Sequence, residues 1–384
     1  MNWKVRYVNY PLQFSNMESE IMETIHTVLK NGDLMLRQQL RDFETNLAAY
    51  VGVKHAIGVS NCTDGLFLVY RALGIGPGDE VISVSHTFVA TIAAIHHTGA
   101  TPVLVDIGDD HNIDVSKIEA AITPKTKAIV PVHLNGRLSQ MPEIMALAQK
   151  YGLIVIEDSA QGLGASLEGI KGGAWGAAGC FSFYPAKLLG AYGDGGAVTT
   201  NDDVLAERLR RTRDHGRTTG GIGEWAFNCR LDNLQAALLD LKLARLPAWL
   251  ERRRELAALY QEELSEVEEL RLPPAPVTGG RNYDVYQNYE IEAQNRDALV
   301  AYLREQGVET MLSWGGKGVH QFEALNLGHL SLPRTEQLFA GVLMLPMFPE
   351  LTDEEVRYVG QSVKGFYASQ RSTATVSGFE RKAA

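Results

Sequence analysis

Residues 128–158 read AIVPVHLNGRLSQMPEIMALAQKYGLIVIED. The runs at 128–133 and 153–157 are apolar almost throughout, which suits strands covered on both faces. Between them, 142–151 has the spacing of an amphipathic helix that opens on Pro142. A strand, a crossover helix and a second strand of this kind predict a parallel βαβ unit. The rhythm extends toward the N-terminus, with strands expected at 56–59, 81–84 and 101–106 and helices at 63–73, 88–98 and 115–122. Toward the C-terminus, 180–183 and 196–200 read as strands with little room for a helix between them, so they are expected to pair antiparallel. The fold class is therefore α/β, built on a mostly parallel sheet with helices on both faces.

Outside this region, Ser15-Asn16-Met17-Glu18 has the form of a capping box for a helix through about residue 29, and a second helix is expected over 38–50. A helix is expected at 204–214, then a long helical stretch over 232–264 broken near Pro247. There the alternation stops. Pro273, Pro274, Pro276 and Gly279-Gly280 form a linker-like patch. A smaller α+β pattern follows, with strands at 286–291 and 308–312 and helices at 296–306 and 352–367, the last opened by a Thr352/Glu355 capping box. The expected division is a large α/β domain over 15–245, a small C-terminal α+β domain over 246–370, and a disordered tail over 371–384.

The chain has 384 residues, 45% of them hydrophobic, which excludes disorder as the main state. Its 36 basic and 46 acidic residues leave a net charge of −10. Without a basic stripe, nucleic-acid and anionic-membrane partners are disfavoured. Three widely spaced cysteines, Cys62, Cys180 and Cys229, make neither a disulfide scaffold nor a zinc cluster, and no metal site is expected. A reducing cytoplasm fits them best. The N-terminal stretch lacks the apolar region of a signal peptide, and no run has the length of a membrane span.

The chemistry-bearing residues cluster after predicted strands. Ser60-Asn61-Cys62-Thr63-Asp64-Gly65 joins a strand to a helix, where free N–H groups and the helix dipole suit a phosphate, or where Thr63 merely caps the helix. Gly74-Ile75-Gly76-Pro77-Gly78 resembles a dinucleotide loop but follows a helix, and reads as a turn. Asp158 ends a buried strand and can serve a metal, a cationic ligand atom or a helix cap; Glu157 points the other way and reads as structural. Phe181-Ser182-Phe183-Tyr184-Pro185-Ala186-Lys187, followed by Gly190, Gly193, Gly195 and Gly196, sets a lysine in a tight, mostly apolar surround. Desolvation there favours the neutral, nucleophilic amine, although a lysine in such a loop can also be simply exposed. No G-x-S-x-G, P-loop or paired-histidine pattern supports a hydrolase, nucleotide-hydrolysing or metal alternative.

Taken together, GVSNCTDGLFL, ALGIGPGDEVISVSHTFVATIAAI, GATPVLVDI, YGLIVIEDSAQGLGAS, GCFSFYPAK and FNCRLDNLQAALL resemble the DegT-type nucleotide-sugar aminotransferases, a family of fold-type I pyridoxal-phosphate (PLP) enzymes. The resemblance runs from about residue 32 to 364. It implies a large PLP-transferase-like three-layer domain. It also implies that Lys187 holds the cofactor covalently and then moves the proton, and that Asp158 pairs with the pyridine nitrogen. By the same resemblance, Phe88 stacks on the ring, Gln161 approaches its 3-hydroxyl, and Cys62, Thr63 and Asp64 of the turn, with Ser182, hold the phosphate. Asn228 would reach that phosphate from the partner subunit of a homodimer with shared sites. The implied reaction transfers an amino group, from L-glutamate, to a nucleoside-diphosphate-linked keto-sugar in amino-sugar or polysaccharide biosynthesis.

Three stretches depart from the family pattern. The phosphate turn is Asn61-Cys62-Thr63 in place of S-G-T, Asn135 replaces the tyrosine of V-H-L-Y-G, and residues 313–320, SWGGKGVH, replace H-Y-P-x-P-x-H. The last two regions tend to contact the sugar nucleotide, which leaves the substrate open. Alternatives are a PLP-dependent sugar dehydratase or cyclitol aminotransferase, and a PLP-binding regulatory protein without turnover. The intact Lys187 and Asp158 weigh against the dehydratase and regulatory readings.

Overall fold

The computed structural model describes the backbone of residues 3–380 and the side chains of residues 3–371. Seven strands form the main sheet in the order His55–Val59, Gly196–Thr200, Ala178–Ser182, Ile154–Asp158, Thr126–Ile129, Glu80–Val84, Thr101–Val105. All neighbours run parallel except Gly196–Thr200, which is antiparallel to both strands beside it. The sequence pattern had this arrangement because successive strand residues feed two separate cores. Ala56, Ile82, Ile129, Val155, Phe181 and Ala197 pack on one face. Ile57, Val81, Ala128, Ile156, Cys180 and Val198 pack on the other, beneath helices Cys62–Ala72 and Val89–His97. Alternation of period two with both faces covered yields the continuous apolar runs.

The strand expected at 128–133 is Thr126–Ile129. Pro131 has no N–H to continue the ladder, and only its carbonyl is used, by Asp158 N–H at 2.9 Å. Pro247 marks the expected break: helix Asn233–Leu243 ends, and Leu246–Leu264 begins with the proline in its first turn.

A second, three-stranded sheet orders Leu270–Arg271, Tyr289–Ala293 and Val342–Leu345. Tyr260, Tyr289, Ile291, Leu303, Leu343, Val359 and Phe366 build its core against helices Leu246–Leu264, Arg296–Glu305 and Asp353–Glu380. The Thr352/Glu355 capping box forms reciprocally, at 2.9 and 3.1 Å.

Three expectations are corrected. The Ser15–Glu18 box does not form: Ser15 Oγ donates to Leu12 O at 3.0 Å within a separate short helix, Tyr10–Ser15, and Glu18–Asn31 starts without a side-chain cap. The strand expected at 286–291 is Tyr289–Ala293, because Tyr286 takes a left-handed φ of 49°. Residues 308–312 form no strand but two isolated bridges, Val5 to Val308 and Met311 to Met344. Of the stretch 371–384, the backbone is described to residue 380 as the end of helix Asp353–Glu380, and 381–384 lie outside the described residues.

Candidate active site

The carboxyl ends of parallel strands converge where a ligand sits on an open α/β sheet. Asp158 ends its strand there, 4% exposed, on the face of Ile156 and beneath helix Val89–His97. Its Oδ2 accepts from Thr91 Oγ1 at 2.6 Å and its Oδ1 from Ala160 N–H at 3.1 Å. Thr91 is in turn 2.7 Å from Thr87 Oγ1. A buried carboxylate with two fixed donors is held in one orientation, with lone pairs left for a cationic partner.

Glu157, one residue earlier, faces the opposite core. It accepts from His133 Nε2 at 2.8 Å and from the N–H groups of Gly173 and Trp175 at 2.8 Å and Gly176 at 2.9 Å. It pins the 172–176 turn to the sheet, the structural part that alternation implies.

Lys187 follows strand Ala178–Ser182 in a tight turn closed by its own N–H on Tyr184 O at 2.8 Å. Gln287 Nε2 holds the preceding Ala186 carbonyl at 2.8 Å, and Lys242 Nζ holds the Gly190 carbonyl beyond it at 2.7 Å. Burial lowers the Lys187 pKa below the usual lysine value, while Asp158 and then Cys62 pull it back up. Lys187 Nζ has no hydrogen bond or ion pair among the described residues. Burial also pushes the neighbouring thiols of Cys62 and Cys180 well up from the usual cysteine value.

The turn 60–64 is built around Asn61, the N-cap of helix Cys62–Ala72, whose Oδ1 accepts from Asp64 N–H at 2.8 Å. The Asp64 carboxylate accepts from Ser60 Oγ and from Asn61 Nδ2, the latter at 2.9 Å. With its N–H and its carboxylate both engaged within the turn, Asp64 organises it. The N–H groups of Cys62 and Thr63 have no acceptor among the described residues, which is the donor pair a helix N-terminus offers an anion. Ser182 stands at the end of its strand, its Oγ accepting from Tyr184 N–H at 3.3 Å.

Phe88 precedes helix Val89–His97 and is 57% exposed, a large ring left uncovered at the mouth. Gln161 Oε1 accepts from Asn135 N–H at 2.7 Å, while its Nε2 has no acceptor among the described residues. Asn228 is exposed and shares an open cavity with Ser60, Gly193 and Arg230 of its own chain. The structure brings Lys187 within electrostatic reach of Asp158 and Cys62, and sequence reading does not single out Thr91, Lys242, Gln287 and Asn288, which bond the surrounding segments. Thr91, three residues after Phe88 on the same helix face, is the one whose spacing carried a signal.

These groups fit PLP: a partnerless buried amine, a fixed carboxylate, two unpaired N–H groups at a helix start and an uncovered ring. The chain matches the DegT/DnrJ/EryC1/StrS aminotransferase family over residues 15–364. It is 42% identical over 360 residues to a pleiotropic regulatory protein of Geobacillus stearothermophilus, covering 92% of this chain and 96% of that one. It is 40% identical over 365 residues to a UDP-N-acetyl-3-dehydro-alpha-D-glucosamine 3-aminotransferase of Acidithiobacillus ferrooxidans, covering 94% and 98%. Among solved structures, S. venezuelae DesV in complex with a ketimine intermediate superposes with a TM-score of 0.90 at 39% identity, covering 94% and 98%. The chain belongs to the DegT/DnrJ/EryC1/StrS aminotransferase family.

Proposed function

We propose that this chain is a PLP-dependent aminotransferase that moves an amino group, from L-glutamate, to a nucleoside-diphosphate-linked keto-sugar in amino-sugar biosynthesis. The observation that carries the reading is the placement of Lys187, its pKa lowered by burial, within electrostatic reach of the fixed carboxylate of Asp158 at the sheet's carboxyl edge.

When bound, the cofactor supplies an electron sink for the carbanion left on deprotonation of the donor's α-carbon. Lys187 Nζ acts first as nucleophile and then as the base that takes the α-proton and returns it. Burial favours the neutral amine that both tasks require. Asp158, oriented by Thr91 and Ala160, holds the ring nitrogen in its protonated form. The Cys62 and Thr63 N–H groups, with Ser182 Oγ, receive the phosphate. Phe88 covers the ring face and Gln161 Nε2 donates to the 3-hydroxyl.

The assembly we propose is a homodimer with shared sites, Asn228 reaching the partner's phosphate. Its support is the uncovered apolar surface on the 216–227 segment, where Trp225 is fully exposed and Ile222 is 68% exposed. The proposed domain division is 15–245 and 246–370. A cytoplasmic location is supported by three buried, unpaired cysteines. Among the described residues no helix is long and apolar enough to cross a membrane. A PLP-binding regulator without turnover is the second reading, kept by the 42% identity to a regulatory protein.

The test is the visible spectrum of the PLP-loaded protein before and after L-glutamate, with Lys187→Ala as control. Bleaching of the band by glutamate, together with loss of borohydride-trapped cofactor in the variant, is the expected result. A stable band unchanged by glutamate favours the regulator. Undiminished trapping in Lys187→Ala sinks the assignment of Lys187.

A further inference from the structure

The two regions that depart most from the family pattern, Asn135 and residues 313–320, meet at one buried carboxylate. Glu290, on strand Tyr289–Ala293, is 2% exposed. Its Oε1 accepts from Asn135 Nδ2 at 2.8 Å and from His111 Nδ1 at 3.0 Å, and Ser313 Oγ donates to its Oε2. His86 Nε2 stands 3.5 Å from the same carboxylate. Glu292, on the same strand face, takes His111 Nε2 at 3.0 Å and both Arg334 nitrogens, at 2.5 and 2.9 Å. A carboxylate this buried persists only because cationic and neutral donors surround it.

Glu290 bonds two separate segments. On one side, Asn135 donates its backbone N–H to Gln161 Oε1 at 2.7 Å and accepts from Asn288 Nδ2 at 2.9 Å. Its φ of 57° is a left-handed value that Asn tolerates better than most residues. On the other side, Ser313 begins the loop in which Trp314, Gly315 and Gly316 all take positive φ. Trp314 packs on the His86 ring with centroids 5.2 Å apart. The far end of the loop is tied down by Ser85, which bonds His320 Nδ1 at 2.6 Å and accepts from His320 N–H at 3.0 Å. Ser85 lies just past strand Glu80–Val84, three residues before Phe88. Both ends of the loop are thus anchored, and among the described residues its bonded route to Gln161 runs through Ser313, Glu290 and Asn135.

We infer that Glu290 is a positioning residue that joins the outer loop 313–320 to Gln161, so that whatever packs against the loop alters how Gln161 is set beside the cofactor ring. The inference rests on the proposed PLP chemistry and deepens it: the outer loop and the ring side share one hydrogen-bonded link. Such a link carries coupling only if both ends respond together, which a double-mutant cycle measures.

Glu290→Ala leaves several buried donors unpaired and can fail to fold, so the cycle uses the two neighbours. Ser313→Ala removes the loop's hold on the carboxylate. Asn135→Gly removes the side chain, suits the left-handed backbone and keeps the N–H to Gln161. The readout is the pH midpoint of the visible band of the PLP-loaded protein, which a merely structural role would not move. Ser313→Ala is expected to move that midpoint by about half a pH unit, or about threefold in the ionisation constant. Asn135→Gly is expected to move it at least as far, and the double variant no further than Asn135→Gly alone. A wild-type midpoint in Ser313→Ala, fully additive shifts, or a change in melting temperature alone overturns the inference while leaving the proposed function intact. Absence of any band from wild-type protein overturns the proposed function and this inference with it.

Discussion

Gly196→Ala adds one methyl group and is expected to weaken cofactor binding. Gly196 opens the strand Gly196–Thr200 and passes directly behind the turn that starts helix Cys62–Ala72. A Cβ there would stand 2.5 Å from the Asn61 carbonyl carbon, and 2.8 Å from both its oxygen and the Cys62 nitrogen. Ordinary contact begins at 3.4 Å, so the two backbones must part by about 0.6–0.9 Å. No flexible side-chain tip can yield, because every obstacle is main chain. The strand cannot yield either, since Gly196 is paired with Val59 on one side and Ser182 on the other. The turn moves, and it carries the Cys62 and Thr63 N–H groups with it.

Overpacking of this kind costs about 1–3 kcal/mol of stability. A displacement approaching 1 Å at positioned groups costs on the order of a hundredfold in what they position. The expected result is a fall of at least about tenfold in PLP affinity. The assay is titration of cofactor-free protein with PLP, followed by the visible band, with calorimetry on the same samples. Gly76→Ala is the control: its Cβ would meet only the Thr98 carbonyl at an ordinary 3.6 Å, so it should bind as the wild type does. If Gly196→Ala binds PLP as tightly as Gly76→Ala, the turn does not hold the phosphate in the way its unpaired N–H groups imply.

Three other outcomes follow from the same geometry. Glu157→Gln keeps one oxygen for Trp175 and Gly176 but turns an NH2 toward Gly173 N–H and His133 Nε2; because His133 Nδ1 already accepts from Ser139 N–H at 3.3 Å, its Nε2 carries the proton and two donors collide. The variant should lose about 3 kcal/mol in denaturant unfolding, and an unchanged midpoint would refute the pinning role. His111, buried between Glu290 and Glu292, has its pKa raised from 6.5 to about 9 by those carboxylates, so the stability it adds is full below pH 6.5 and disappears as the pH rises through about 9; melting curves of wild type and His111→Gln should differ most near pH 6 and converge above pH 9, and a gap that widens with pH would contradict the charge assignment. Trp225→Asp should shift sedimentation from dimer to monomer at micromolar concentration; a dimer of undiminished stability would move the interface elsewhere.

The strands of the main sheet are legible because burial on both faces writes itself as unbroken apolar runs, and Lys187 and Asp158 are legible because each directly follows or ends such a run. What local sequence could not supply is direction and partnership. Asp64 sits in the phosphate turn by position, yet its carboxylate is folded back onto Ser60 and Asn61. Ser15 and Glu18 have the spacing of a capping box, but Ser15 is already spent on Leu12 in a preceding helix. The 308–312 run is apolar enough for a strand, and it fails because its neighbours meet it only at isolated bridges. Thr91 bonds a residue 67 positions away, a relation no window of sequence contains.

Glu290 makes the same point with a consequence for function. Tyr289-Glu290-Ile291-Glu292 alternates apolar and acidic, the signature of a strand with one face in a core and the other in water. The apolar half of that reading holds, since Tyr289 and Ile291 are fully buried. The acidic half does not, because Glu290 is as buried as a core residue and Glu292 is largely covered. The water that the pattern implies is replaced by His111, Asn135, Ser313 and Arg334, donors drawn from four separate segments. Alternation reports which residues share a face, and charge reports what that face requires, but neither says whether solvent or protein meets the requirement. Where protein meets it with neutral and cationic donors from both sides of a pocket, the strand ceases to be a boundary of the small sheet. It becomes the element that fixes the two sides of the pocket relative to each other.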